Sequence, residues 1–290
     1  MRGLLIVLAL LMLPGIASAG AWTPEPGGGY AKIQVRWLPG IGYMGALGEA
    51  PQLYGVYNEV FLGGFYAEVG LAPRVSVAVA SDGVRLFFLQ DPRDGSVSTH
   101  ASFGEPSLTL TVQPVQAGRF ALSFAGFVQA PGAPNTPVAD VVGTAPGNPV
   151  IGQLRIGTGV LEGGGLLNAG VGLGRLYVAG SVGARARGRG WDAVLQWSAE
   201  AGLGVGKERK TQLRLRFAGW HPLKNGTAEY HDSPSGIGNG TGYVGFTLEV
   251  ERKLSELLSA GFGIAGGLGG VVRQTGGPVI TGHIAVAWPQ

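Results

Sequence analysis

From residue 29 onward the side chains repeat with a period of two, not 3.6, and this alternation restricts the chain to strands. In 107–113, Leu108, Leu110 and Val112 share one face, while Ser107, Thr109, Thr111 and Gln113 share the other. Residues 119–129 set Phe120, Leu122, Phe124 and Val128 against Ala121, Ser123, Ala125 and Gln129. In 212–217, Leu213, Leu215 and Phe217 alternate with Gln212, Arg214 and Arg216; in 243–251, Val244, Phe246, Leu248 and Val250 oppose Tyr243, Thr247, Glu249 and Glu251. Soluble sandwiches alternate too, so length decides. The strands to which these stretches belong run about 9 to 16 residues, whereas soluble strands average about 5 to 6 and a tilted membrane strand needs about 9 to 11.

Twelve strands are predicted, at 29–38, 60–71, 74–83, 105–113, 118–129, 157–172, 175–185, 191–205, 210–220, 242–252, 257–268 and 278–288. Keeping 157–172 whole across Gly163-Gly164-Gly165 gives an even count and puts short and long connections on alternate ends. The short ones are 72–73, 114–117, 173–174, 206–209 and 253–256; between them lie the longer 39–59, 84–104, 130–156, 221–241 and 269–277, with 186–190 the one short loop on that side. Such asymmetry belongs to outer-membrane barrels. The expected fold is all-β, a transmembrane antiparallel up-and-down β-barrel of about twelve strands. The uncharged run 257–272 is no membrane helix, because each of its interior glycines costs about 1 kcal/mol of helix propensity.

Composition agrees. Charged residues make up 13% against an ordinary ~25%, with 45% apolar content, a bias opposite to that of disorder. The 54 glycines keep no period of three, and the absence of Cys removes disulfides, thiolate metal sites and Cys nucleophiles. Residues 1–19 read as a secretory signal peptide: Met1-Arg2-Gly3, the apolar run from Leu4 to Leu13, Pro14-Gly15, and Ala17-Ser18-Ala19 before the cleavage point. The barrel then occupies 20–290 in the cell outer membrane. Without Arg2 the chain keeps 20 basic against 18 acidic residues, and no basic cluster interleaved with aromatics points to nucleic acid.

If the apolar face meets lipid, the other face lists the lumen candidates: Lys32, Arg36, Arg74, Arg185, Arg214 and Arg216, the acids Glu68, Glu200, Glu249 and Glu251, and Tyr66, Tyr177 and Tyr243. A lipid-facing Arg or Lys costs about 2 to 4 kcal/mol at the midplane. These residues are either ion pairs that rigidify the wall or a charged constriction favouring anionic or aromatic solutes. Arg185, Arg187 and Arg189 share parity near a strand end, as a solvated rim or a grip on lipopolysaccharide phosphates. Trp37, Trp191, Trp220 and Trp288 suit interfacial girdles.

Enzyme motifs are absent: there is no G-x-S-x-G, H-E-x-x-H or P-loop, and Gly202–Lys207 has the wrong phosphate-loop spacing. No catalytic residue, metal or cofactor is expected. His221, His231 and Asp232 in one loop and His100 in another would serve a hydrolase only with a Ser at the lipid boundary.

The segment Phe65-Tyr66-Ala67-Glu68-Val69-Gly70-Leu71-Ala72-Pro73-Arg74-Val75-Ser76-Val77 resembles the strand-turn-strand of a family of outer-membrane barrels associated with the meta-pathway of phenol degradation. Phe103-Gly104-Glu105-Pro106-Ser107-Leu108, Phe127-Val128-Gln129-Ala130-Pro131-Gly132 and Gly157-Thr158-Gly159 are similar to its later landmarks, in order, with Glu105 where the pattern has Asp. Pro289-Gln290 follow Trp288 where outer-membrane chains end on an aromatic residue. The resemblance implies a barrel passing aromatic or hydrophobic compounds. Taken with the alternation and the loop asymmetry, the expectation is a monomeric barrel for small hydrophobic or aromatic molecules, with outer-membrane lipid and lipopolysaccharide as its partners. A structural or surface-interaction barrel with a plugged lumen is the alternative.

Overall fold

The computed structural model describes residues 20–289 except 41–42, 46–47, 51–56, 92–93, 143–150, 231–234, 271–273 and 276–277. The expected signal peptide, with His231 and Asp232, lies outside the described residues. Twelve long strands form the wall: β1 (Gly29–Gly40), β2 (Tyr57–Ala72), β3 (Val75–Ser81), β4 (Ser107–Ala117), β5 (Phe120–Gln129), β6 (Glu162–Leu173), β7 (Leu176–Arg187), β8 (Val194–Val205), β9 (Thr211–Pro222), β10 (Tyr243–Lys253), β11 (Leu258–Gly270) and β12 (Val279–Trp288). Each pairs antiparallel with the next, and β12 returns to β1 from Gly29↔Trp288 to Trp37↔Ile280, which closes the barrel. Closure leaves no edge strand, the condition a sheet must meet in hydrocarbon.

Outward positions are apolar. Ile33, Val35 and Trp37 on β1, Leu108 and Leu110 on β4, Phe124 (54% exposed) and Val128 on β5, and Leu213, Leu215 and Phe217 on β9 all stand free of protein contacts that would cover them. A belt of this kind is stable only against lipid. No helix among the described residues is long and apolar enough to cross a membrane.

At one end the connections are tight. Register fixes two-residue turns at Pro73-Arg74, Gly118-Arg119 and Gly174-Arg175. Gly174 takes φ 80°, which a side chain disfavours, and thereby turns β6 into β7 within two residues. Arg74 takes φ 67° at the second position of its own turn, after Pro73.

The wall also explains much of the glycine. Four aromatic or imidazole residues lie directly across the ladder from a glycine: Tyr177↔Gly202, Trp197↔Gly219, His283↔Gly261 and Trp288↔Gly29. A Cβ at any of these glycines would run into the facing ring. Small residues let flat rings lie against the barrel wall, on the inner face at Tyr177 and His283 and, by strand parity, on the outer face at Trp197 and Trp288. Gly164 serves β6 likewise, since a Cβ there would press 2.9 Å from Phe127, so the triple glycine is strand, as read. The strand itself starts at Glu162, later than predicted; 157–161 belongs to the preceding loop.

One stretch read as a loop is structured. Val84–Gln90 and Val97–Phe103 form a hairpin, and the first of these pairs with the outer half of β2, continuing β3 past Asp82-Gly83. The alternation in Val84–Gln90 escapes a membrane-strand reading because its buried side chains, Arg85, Phe87 and Leu89, pack on protein while the barrel below faces lipid.

Candidate functional site

Both ends of the bore carry inserted chain. At the short-turn end, Gly20–Gly28 runs as an irregular strap along the inner wall. Gly27 N–H donates to the Gly70 carbonyl at 2.8 Å, and Gly70 N–H to that of Gly28 at 3.0 Å. Thr23 donates from its amide and its hydroxyl to Gln113 Oε1, each at 2.9 Å. Ser123 Oγ donates to the Gly20 carbonyl. Ala21 is 0% exposed, and Trp22 packs edge-on to Tyr177, 6.2 Å between ring centres. No periodicity marks these residues, so the sequence reading left them without a role.

At the long-loop end, the described parts of the connection, 130–142 and 151–161, fold into the mouth. Leu154 and Ile156 pack with Leu38, Phe87 and Leu89 in a small apolar core. Glu105 pins this loop, its carboxylate accepting the Thr158 amide and, at 2.9 Å, Gln129 Nε2. Arg155, in the same loop, donates to the Asn135 carbonyl at 2.6 Å, and burial pulls its guanidinium below the usual value.

Between strap and loop lies a cavity of about 450 Å³, walled by β1–β4 and β8–β10 with Gln129 of β5. Of the sequence candidates, Lys32, Tyr66, Glu200, Arg214, Arg216 and Glu249 line it. Tyr66 donates to Glu68 Oε2 and Ser76 Oγ to Glu68 Oε1, both at 2.7 Å. Tyr177 donates to Glu200. Arg214 bridges two carboxylates, with Glu249 at 2.8 Å and Glu251 closer still, and Ser259 donates to Glu251 at 2.6 Å. Arg36 pairs with Asp82 and covers the Phe61 ring 4.0 Å from its centre. Arg185 binds Glu162 at 2.6 Å and Gln129 at 3.0 Å, sandwiched between Phe127 and Trp220. Tyr243 faces Trp220 in register near the mouth, outside the cavity lining.

Arg74 is a correction. It stands exposed on the β2–β3 turn, its Nη1 3.4 Å from the Pro114 carbonyl, because the strand ends before it and leaves it on the rim. Arg187 donates to the Asp192 carbonyl at 2.7 Å and stacks on Trp191, so of the arginine triplet only Arg189 is exposed. Trp191 and Trp220 likewise serve inward stacks; Trp37 is turned to the outer belt, and Trp288 donates to the Gly27 carbonyl at 3.2 Å.

Not among the sequence candidates are Asp82, Glu105, Gln113, His283 and the buried Asn168, whose Nδ2 donates to Ser123 Oγ at 3.1 Å. Inward parity flags several of them, but their partners are dozens of residues away. Glu249, Glu251 and His283 offer ligand atoms within 4.8 Å of one another, yet Arg214 already occupies both carboxylates, so a dication would have to displace a guanidinium. His221 lies on β9 and accepts the Trp197 indole N–H at 3.1 Å.

No family model matches the chain, and no curated protein matches it. Among solved structures, an outer membrane channel from Pseudomonas putida F1 superposes with a TM-score of 0.60 at 9% identity, covering 94% of this chain and 100% of that one. The NanC porin gives 0.48 at 6% identity over 90% and 100%, and the KdgM porin 0.46 at 6% over 89% and 99%. The first likeness shows that the chain has the closed antiparallel β-barrel fold of an outer-membrane protein.

Proposed function

We propose that this chain is a monomeric outer-membrane barrel acting as a passive channel for small hydrophobic or aromatic molecules, in the manner of the phenol meta-pathway barrels that 65–77 and the later landmarks resemble. The observation that carries this reading is the central cavity, a space for a small solute in the wall of a closed lipid-facing barrel. The short-turn end is then periplasmic, as in other outer-membrane barrels. Aromatic solutes suit the wall better than purely aliphatic ones. Tyr30 and Tyr66 present tilted rings 6.3 Å apart on a lining that also carries Phe65.

Proteoliposomes holding the refolded protein, checked by heat-modifiable gel migration, should swell in small aromatic solutes faster than protein-free vesicles; equal rates would end the channel reading. A second reading, a structural barrel with a plugged lumen, draws on the Gly20–Gly28 strap. Deleting 20–27 separates the two. In a channel held shut by its strap the deletion raises flux, whereas a lumen filled for rigidity loses heat resistance and gains no flux.

A further inference from the structure

The cavity wall is asymmetric in its hydrogen bonding. Each acid that lines it has a hydrogen-bond donor or a paired cation: Asp82 has Arg36, Glu105 the Thr158 amide and Gln129, Glu200 the Tyr177 hydroxyl, and Glu249 an ion pair with Arg214 at 2.8 Å. Two cations do not. Lys32 and Arg216 face the same cavity and make no hydrogen bond or ion pair with another described residue. Arg216 stands opposite Glu200 in register, but that carboxylate is turned to Tyr177. The Tyr30 hydroxyl, two residues from Lys32 on the same face, is buried without a partner. The groups without a partner are thus donors: the Tyr30 hydroxyl is buried, a condition in which donors are normally answered, while Lys32 and Arg216 keep their charged ends open to the cavity, within reach of a solute.

A carboxylate answers them best, being acceptor-only with about four lone-pair sites, and a guanidinium grips it in two-point fashion. Resting on the channel reading above, we infer that the cavity is a transit site for small aromatic monocarboxylates, their charge taken by Lys32 and Arg216 with the Tyr30 hydroxyl donating. The ring of such a molecule lies against Tyr30 and Tyr66. Four carboxylates in the wall set the charge limit, since a second negative group would find no cation left. They also keep binding weak, which a conducting site requires: a solute held tightly would not leave.

The test compares swelling of proteoliposomes in benzoate, phthalate, benzyl alcohol and benzylammonium. Benzoate should enter several-fold faster than phthalate or benzylammonium and saturate at millimolar concentration. In Lys32→Gln/Arg216→Gln the benzoate rate should fall about tenfold relative to benzyl alcohol, the loss of one two-point charged contact. Glu200→Gln should move the ratio the other way. The single variants replace the double one if it does not show heat-modifiable migration. An unchanged benzoate-to-alcohol ratio in the variants, or phthalate entering as fast as benzoate, overturns this inference and leaves the channel standing. A folded wild type that admits none of the four probes overturns the channel and the transit site together.

Discussion

The strap at the short-turn end can be loosened from outside its own sequence. Gly70 on β2 carries two of its hydrogen bonds, and a Cβ there would collide with the Glu25 carbonyl oxygen and lie 2.6 Å from that of Pro24. Those are backbone atoms, so Gly70→Ala must push the strap away from the wall. The two bonds lost are each worth about 0.5 to 1.5 kcal/mol net. Displacement is therefore favoured by about 1 to 3 kcal/mol, a factor of about 5 to 150 in the population of the open strap. The bonds of Thr23 to Gln113 and of Ser123 to Gly20 remain, so the barrel should fold as before. The chain has no cysteine, which makes Thr23→Cys a unique probe. Its reaction with a water-soluble thiol reagent should accelerate by that factor in the Gly70→Ala background, and single-channel conductance should rise with it. An unchanged labelling rate would refute the steric argument. Faster labelling with unchanged conductance would show that the strap does not gate the bore.

Three further outcomes follow from the wall. Arg214→Met leaves Glu249 and Glu251 as adjacent, uncompensated carboxylates in the bore, and should destabilise the barrel by about 3 to 5 kcal/mol in a urea titration; adding Glu249→Gln and Glu251→Gln should restore most of it. Leu110→Arg places a charge on an outward position that is 50% exposed to lipid, and should cost about 2 to 4 kcal/mol in refolding into vesicles; tolerance would mean that the strand faces the other way. Arg74→Gly relieves a side chain held at φ 67° and should raise the denaturation midpoint, by up to about 1 kcal/mol of stability, with no change in flux.

The architecture was legible because lipid imposes it on the sequence. Alternate residues of a spanning strand must be apolar, so Leu108-Leu110 on β4 and Leu213-Leu215-Phe217 on β9 announce the face, the strand and its depth without any partner. One short turn is legible for a similar reason, Gly174 carrying the backbone requirement in the residue itself; the turn expected at 114–117 falls at Gly118-Arg119 instead, because β4 keeps its pairing through Ala117. Parity likewise names Lys32, Arg214 and Glu249 as inward residues.

Nothing local tells which of those charges are answered. Arg214 and Glu251 meet across one strand pair, Arg36 finds Asp82 beyond a bend, and Lys32 and Arg216 find no partner among the described residues. Those outcomes depend on how closing the barrel places side chains on distant strands. The strap and the inward loop were hidden for the same reason. Gly20–Gly28 has no repeat of its own, and its place is set by the room that Gly70 and Gly170 leave on the opposing wall. The sequence by itself determined a barrel, its strands and which side chains turn inward, because each strand meets lipid independently. Only the tertiary structure decided what fills the bore, which charges remain free, and where a solute would rest.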